Sequence, residues 1–353
     1  MTETPSHIAI IHNGEAHHVP VDQNADGLSV DRAGLSEASG WAFKDVGLCR
    51  GEICIPMKGS NRFDAPFIDL AAFADAIGAP LAVDESTGAA ALGAPVDQRR
   101  DEQDSMRAPE FALPDLSGTI HRLSDHRGRK VLLVAWSSWC GCREDMPVWQ
   151  SLYDELKDDG LTIITVAQDS HVEDAREFIE RASPTHPSLI DTDHVISERY
   201  GLINVPSVVW IDEDGLIRRP PSVEHGSNVF TFAHGLDCEP HLAALRAWVK
   251  TGEADLSDAQ ARASQMPPTF DEQLARAEFA LGNYLYKDGN ADAARIHWEK
   301  AIALSPEDWT IRRGTMRLRG ENPFGEEFGE IWREWEGKGR PDYQSLAKER
   351  RQA

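Results

Sequence analysis

The chain has 353 residues, with 36 Lys and Arg against 59 Asp and Glu, a formal net charge of -23, five Cys and 41% hydrophobic residues. That length accommodates two or three domains with real cores, and the acidic balance argues against a phosphate-backbone binder, so no nucleic-acid partner is expected. Five Cys are too few for a disulfide-stapled secreted scaffold, their odd number leaves one thiol without an intrachain partner, and the ten Trp exclude a disordered chain.

The first residues carry no basic stretch followed by an apolar run. No run approaches the roughly 18 to 20 apolar residues of a spanning helix. The expectation is a soluble, cytoplasmic protein with no membrane partner, where clustered Cys are more often catalytic or metal-binding than structural. Residues 1–96 read as a small α+β accessory domain. A strand is expected at 7–12 and a β-like run at 47–57. The apolar spacing of 70–77 predicts a helix, closed by Gly78, and a hairpin follows, with 80–83 and 89–92 flanking the turn 84–88. This order is similar to the copper amine oxidase-like N-terminal domain, an accessory module; the resemblance implies no copper site here. Residues 97–107 are almost free of apolar side chains and read as a linker.

Residues 108–250 alternate strand and helix. Short apolar runs predict buried strands at 131–136, 161–167 and 207–211, with a fourth at 216–217 after the turn 212–215. Helical patterns fall at 146–156, 172–182 and 241–249. Such alternation implies an α/β domain whose sheet is covered on both faces. Residues 251–269 read as a second linker that holds room for a short helix. Residues 270–353 read as all-α, with helices at 277–286 and 291–304 and a capping helix at 307–318. Leu281, Gly282, Leu285, Gly289, Ala294, Trp298, Ala301 and Pro306 resemble the packing positions of one tetratricopeptide repeat, with Glu278 where the signature has Trp. The resemblance implies a protein partner, or packing on the middle domain, because a single repeat buries its own face poorly.

The chemistry concentrates at 136–147, where a buried strand runs into a helix through Trp139, Cys140, Gly141 and Cys142. The first turn of a helix has unpaired N–H groups and the positive end of the dipole, which favour a thiolate. A second Cys nearby can then resolve a mixed disulfide. Together with Ala108-Pro109-Glu110-Phe111, Leu113-Pro114-Asp115-Leu116, Gly118, Arg143 to Pro147 and Val205-Pro206-Ser207, this region resembles the thioredoxin superfamily in its redoxin branch, near the TlpA/ResA-type thiol–disulfide oxidoreductases. The resemblance implies a thioredoxin-like fold, a cis-proline at Pro206 facing the cysteines, and no cofactor. Val205 and Pro206, with Trp139 and Gly141, are the expected substrate-binding residues, the strand backbone pairing with an extended substrate. The expected partners are a thiol- or disulfide-containing protein or small molecule and a thiol reductant.

Two departures from the family matter. The spacing is C-x-C instead of C-x-x-C, similar to a ResA-like subgroup with a WAxxUGC motif in which Ser137 replaces Ala. That match implies Cys140 as nucleophile and Cys142 as resolving thiol. Helical residues two apart point roughly 200° from each other, so the small ring closes only if the helix starts after Cys140 and Gly141 bends freely. The expected disulfide is strained and oxidising, with a potential above the roughly -270 mV of thioredoxin. The second departure is Val134, which stands where thioredoxins carry a buried Asp; Glu144 and Asp145 are expected on a solvated helix surface, and His225 is a loop residue able to approach the site.

Other readings stay open. Ser137 lies three residues before Cys140, where peroxiredoxins have Thr, which keeps a thiol peroxidase in view. Cys49 and Cys54 form either an auxiliary dithiol or a pair of buried small residues in a hairpin, the latter being favoured. Four thiolates with Cys140 and Cys142 would suit a soft metal, but their spacing is not that of a zinc ribbon, and no metal site is expected. Cys238 is expected to be the odd thiol. A non-enzymatic interaction protein is a further alternative.

Overall fold

The computed structural model describes residues 7–23, 25, 27–56 and 63–350. The chain folds as two compact units, one built from the residues up to Arg99 together with Pro268–Ser305, the other from Arg100–Pro267 with the residues from Pro306 onward. The region read as one all-α segment at 270–353 is thus divided between them. None of the helices is long and apolar enough to cross a membrane among the described residues.

In the first unit, strands His7–His12 and Ala89–Leu92 run parallel at the centre of a four-stranded sheet, with Glu15–Pro20 and Leu81–Asp84 antiparallel outside them. The hairpin turn is fixed by Asp84, whose carboxylate accepts from the Ser86 hydroxyl at 2.6 Å and the Thr87 amide at 2.9 Å. Helix Leu70–Ile77 starts at Asp69, which caps the Ala72 amide at 2.6 Å, and stops at Gly78 in the left-handed region (φ 66°). Strands Gly47–Arg50 and Ile53–Ile55 set Cys49 directly opposite Cys54, and the two are joined as a disulfide with Cα atoms 4.1 Å apart. The favoured reading of two unlinked small residues is corrected here. The Met57 end of the expected run lies outside the described residues. Helices Phe270–Lys287 and Ala291–Leu304 pack closely at Gly282, where an added Cβ would meet Trp298 at 2.6 Å.

In the second unit a five-stranded sheet has the order Ser188–Ile190, Leu161–Ala167, Lys130–Trp136, Ser207–Ile211, Ile217–Ser222. The first three strands are parallel and the last two pair antiparallel. Every residue of Lys130–Trp136 and Leu161–Ala167 is buried, which requires cover on both faces. Trp210 stacks on Trp248 of helix Glu239–Thr251 at 5.1 Å between ring centres, and Trp136 meets Phe178 of helix Val172–Ala182 edge-on. The strands and helices expected at 108–250 are all present; strands Ala112–Pro114, Ile120–Arg122 and Ser188–Ile190 and helices Val195–Tyr200 and Thr231–His234 were not expected. The linker read at 97–107 contains helix Val96–Asp104, and Asp258–Ser264 is the short helix allowed for at 251–269, with Ser257 and Gln260 closing its start as a capping box.

Residues from Pro306 onward give this unit two more helices of length, Glu326–Gly337 and Tyr343–Arg350. The helix expected at 307–318 is one short turn, Trp309–Arg312. A Trp-rich cluster forms here, with Trp309 edge-on to Phe328, Trp332 and Trp335.

Candidate active site

The central strand ends at Trp136, and the next four residues form a loop held by one buried carboxylate. Asp169 accepts from the Ser137 hydroxyl (2.8 Å), the Ser138 amide (3.0 Å) and the Ser138 hydroxyl (2.7 Å). Its own burial raises its pKa, opposed by those hydrogen bonds. The loop delivers Cys140 in extended conformation as the cap of a short 3-10 helix, Gly141–Asp145, which runs into helix Met146–Leu156. The helix therefore starts after Cys140, as the C-x-C spacing demands.

Cys140 and Cys142 are buried free thiols. The Cys142 amide donates to Cys140 Sγ at 3.2 Å. Burial raises the Cys140 pKa, but the Cys142 thiol and amide, the Arg313 guanidinium and His225 outweigh it and bring the group down to about 7. Burial and the adjacent Cys140 push Cys142 well up. The pair thus sets a more acidic thiol beside a less acidic one.

The Val205–Pro206 peptide is cis, and the Val205 carbonyl lies 3.4 Å from Cys140 Sγ. A cavity of about 360 Å³ opens on this point. Cys140, Gly141, Cys142, Val205 and Pro206 all line it, whereas Trp139 does not: it lies behind, its ring under Arg313 at 5.4 Å. Phe230 covers Gly141 so closely that an added Cβ would come within 2.9 Å of the ring.

Sequence reasoning missed Arg313 here, misplaced Asp145 and named His225 only as able to approach. Arg313 is buried and stacks on Phe328 at 3.8 Å, with Nε and Nη2 donating to the Pro323 carbonyl, and among the described residues it has no carboxylate partner. Asp145, expected on a solvated surface, is 2% exposed and accepts from the Gly226 amide at 3.0 Å and from the Ser227 hydroxyl at 2.5 Å; Glu144 is on the surface, paired with Arg181. His225 does reach the cavity, and its Nδ1 lies 3.6 Å from Asp145 Oδ2. It stacks flat on His234 at 4.1 Å, and burial followed by the charge of His225 lowers the His234 pKa to about 4. Only the DMP sequence before the helix proline hinted at Asp145, since an acid one residue before Met146 stands at the helix cap.

The Ser137 hydroxyl is committed to Asp169, so it does not serve Cys140 as a peroxidase hydroxyl would. Cys49 and Cys54 are bonded to each other, so the four-thiolate set does not exist in this state. No group of three or more metal-ligating side chains occurs among the described residues. Cys238 is a buried free thiol at the start of helix Glu239–Thr251, its pKa raised by burial.

Residues 105–219 match the AhpC/TSA family model. Over 113 residues the chain is 34% identical to the thiol-disulfide oxidoreductase ResA of Geobacillus thermodenitrificans, covering 32% of this chain and 65% of that protein. Over 120 residues it is 33% identical to the thioredoxin-like protein YneN of Bacillus subtilis, covering 33% of this chain and 69% of that protein. The chain thus spans just under two thirds of the ResA relative. Among solved structures, the thioredoxin domain of a thiol-disulfide oxidoreductase from Bacteroides vulgatus is 30% identical, with a TM-score of 0.30, over 31% of this chain and 82% of that one.

Proposed function

We propose that this chain, which belongs to the thioredoxin-like family, is a thiol–disulfide oxidoreductase in which Cys140 attacks and Cys142 resolves. The observation that carries the reading is two free thiols two residues apart at a helix start, the Cys142 amide on Cys140 Sγ at 3.2 Å, both lining one cavity with the cis Val205–Pro206 peptide. Cys140 is brought down to about 7 by the donors of Cys142 and by Arg313, while Cys142 is held well above its ordinary value.

The Cys140 thiolate attacks one sulfur of a substrate disulfide, forming a mixed disulfide and expelling the other sulfur as a thiolate, which takes up a proton. Cys142 then gives its proton to His225, whose Nδ1 lies 3.6 Å from the Asp145 carboxylate, and attacks Cys140 Sγ. The second substrate thiolate leaves, and two electrons have passed from the dithiol to the substrate. A thiol reductant restores the pair. His225 is the acid–base group because it lines the same cavity and has a buried carboxylate behind it.

Cys142→Ser is expected to stop the cycle at the mixed disulfide, seen by intact mass as a substrate adduct and mapped to Cys140. Peroxide consumption that needs Cys140 and is undiminished in Cys142→Ser would favour the peroxidase reading instead. The proposal further takes the helix pair in Pro268–Ser305 as a tetratricopeptide-like element for a protein partner, the N-terminal module as copper amine oxidase-like, and the site of action as cytoplasmic.

A further inference from the structure

The expected substrate mode was backbone pairing of an extended polypeptide with the strand edge at the cis-proline. That edge is already used by the chain itself. The amides of Ile203 and Asn204 both donate to the Tyr343 hydroxyl, at 2.8 and 3.4 Å, and the Ile203 carbonyl accepts from the Trp309 amide at 2.7 Å. The Val205 amide donates to the Asn204 side chain at 2.8 Å, and the Val205 carbonyl faces Cys140. The amides of Ile203, Asn204 and Val205 and the carbonyls of Ile203 and Asn204 thus already have partners within the chain, and only the Val205 carbonyl beside Cys140 is left to pair with a substrate backbone.

What remains open beside Cys140 is chemically different. The cavity of about 360 Å³ is walled by Phe230, Trp309, Phe324, Phe328, Trp332 and Trp335. The volume suits a small organic molecule. The aromatic walls suit an apolar body, whose removal from water favours binding. The far side is closed by Arg340, whose guanidinium lies over the Trp335 ring at 5.5 Å and donates to the His234 carbonyl at 3.4 Å. Three charged side chains also line this space, Arg313, Arg340 and Asp342; of these, Arg313 is buried and has no carboxylate partner among the described residues. A cation so placed stabilises the thiolate that departs when a disulfide is cleaved.

We infer that the substrate is a low-molecular-weight disulfide with a largely apolar, aromatic-sized body, which sits in the Trp-rich pocket while its sulfurs meet Cys140 beside Arg313. This rests on the reading of Cys140 as the attacking thiol and names what it attacks. The bond changes are those given above: the substrate S–S bond breaks, the Cys140–S bond forms, and the dithiol supplies both electrons.

Alkyl methanethiosulfonates test the class, because they share one leaving group, methanesulfinate, and differ only in the group they transfer to sulfur. Full-length Cys142→Ser protein is treated with the benzyl and the 2-hydroxyethyl reagent, each rate is divided by that of the same reagent with free glutathione, and the adduct is mapped to Cys140 by peptide mass. The benzyl reagent is expected to be favoured by about tenfold or more, a difference of about 1.4 kcal/mol. The preference is expected to fall toward unity in Phe230→Ala and, separately, in Trp335→Ala, which lie on different segments of the wall. Normalised rates within about twofold of each other, or faster capture of a disulfide-bonded unfolded polypeptide than of the benzyl group, would overturn the inference and leave Cys140 as the nucleophile. No adduct at Cys140 with either reagent would overturn both.

Discussion

A buried guanidinium usually faces a carboxylate; Arg313 instead faces rings and a thiol. Its charge is one of the influences that hold Cys140 at about 7, below the ordinary 9.0. A depressed thiol pKa means that the thiolate is present above pH 7 and is lost as pH falls through it. The rate of iodoacetamide alkylation at Cys140 is expected to be half-maximal near pH 7 and to fall tenfold per pH unit well below that. Arg313→Met is expected to move the midpoint up by about one pH unit or more. Asp169→Ala leaves three donors of the nucleophile loop without an acceptor, and its cost is expected to be about 3 kcal/mol or more in urea unfolding. Cys140 and Cys142 were legible because position on a strand-to-helix junction and a family motif both point at them. Arg313 was not, because it comes from a segment without a motif, and no local pattern records which distant side chain a fold brings beside a sulfur. His225 was visible only as a candidate, since its role depends on Asp145, and an acid at a helix start looks solvated until the loop that covers it is known.

The strands of the second unit were readable because a strand buried on both faces is a continuous apolar run, and three of the five are seven or five residues of that kind. Ser188–Ile190 is three residues long, too short for any period to show. Charge patterning misled at 97–107: helix Val96–Asp104 has almost no apolar face, but Arg99 is 6% exposed, so its stem is packed away. In the helix pair, Glu278 has a concrete partner. Its carboxylate meets His297 Nδ1, and His297 Nε2 meets Asp84 at 3.1 Å, so one buried imidazole links the helix pair to the hairpin turn. Gly282→Ala is expected to destabilise the first unit by about 1 to 3 kcal/mol in thermal unfolding, since the new methyl meets Trp298 and overpacking outweighs the gain in helix propensity. The disulfide between Cys49 and Cys54 closes a short loop, five residues apart in sequence. Replacing both with Ser is expected to cost about 2 kcal/mol by the chain-entropy relation, read by the same melt.

At the scale of the whole molecule, the net charge of -23 excludes partners more than it selects them, but it has a mechanical consequence. Like charges repel across a folded surface, and about 0.1 M salt limits that repulsion to about 10 Å. Melting temperature is therefore expected to rise as sodium chloride goes from 20 to 300 mM; a fall would mean that surface ion pairs such as Arg246 with Glu155 outweigh the net repulsion. The return of the chain was not readable along the sequence. It leaves the second unit at Pro267 and comes back at Pro306. Composition marks linkers; it does not mark which unit a later segment rejoins. That return carries a temporal meaning. Synthesis runs from the N-terminus, so the sheet, the cysteine loop and the cis-proline strand all emerge before Arg313 and Tyr343. A nascent or truncated chain thus carries Cys140 without the guanidinium that lowers its pKa, and with the strand edge still bare. The charge beside the sulfur and the cover on the strand edge thus both come from the last part of the chain to be made.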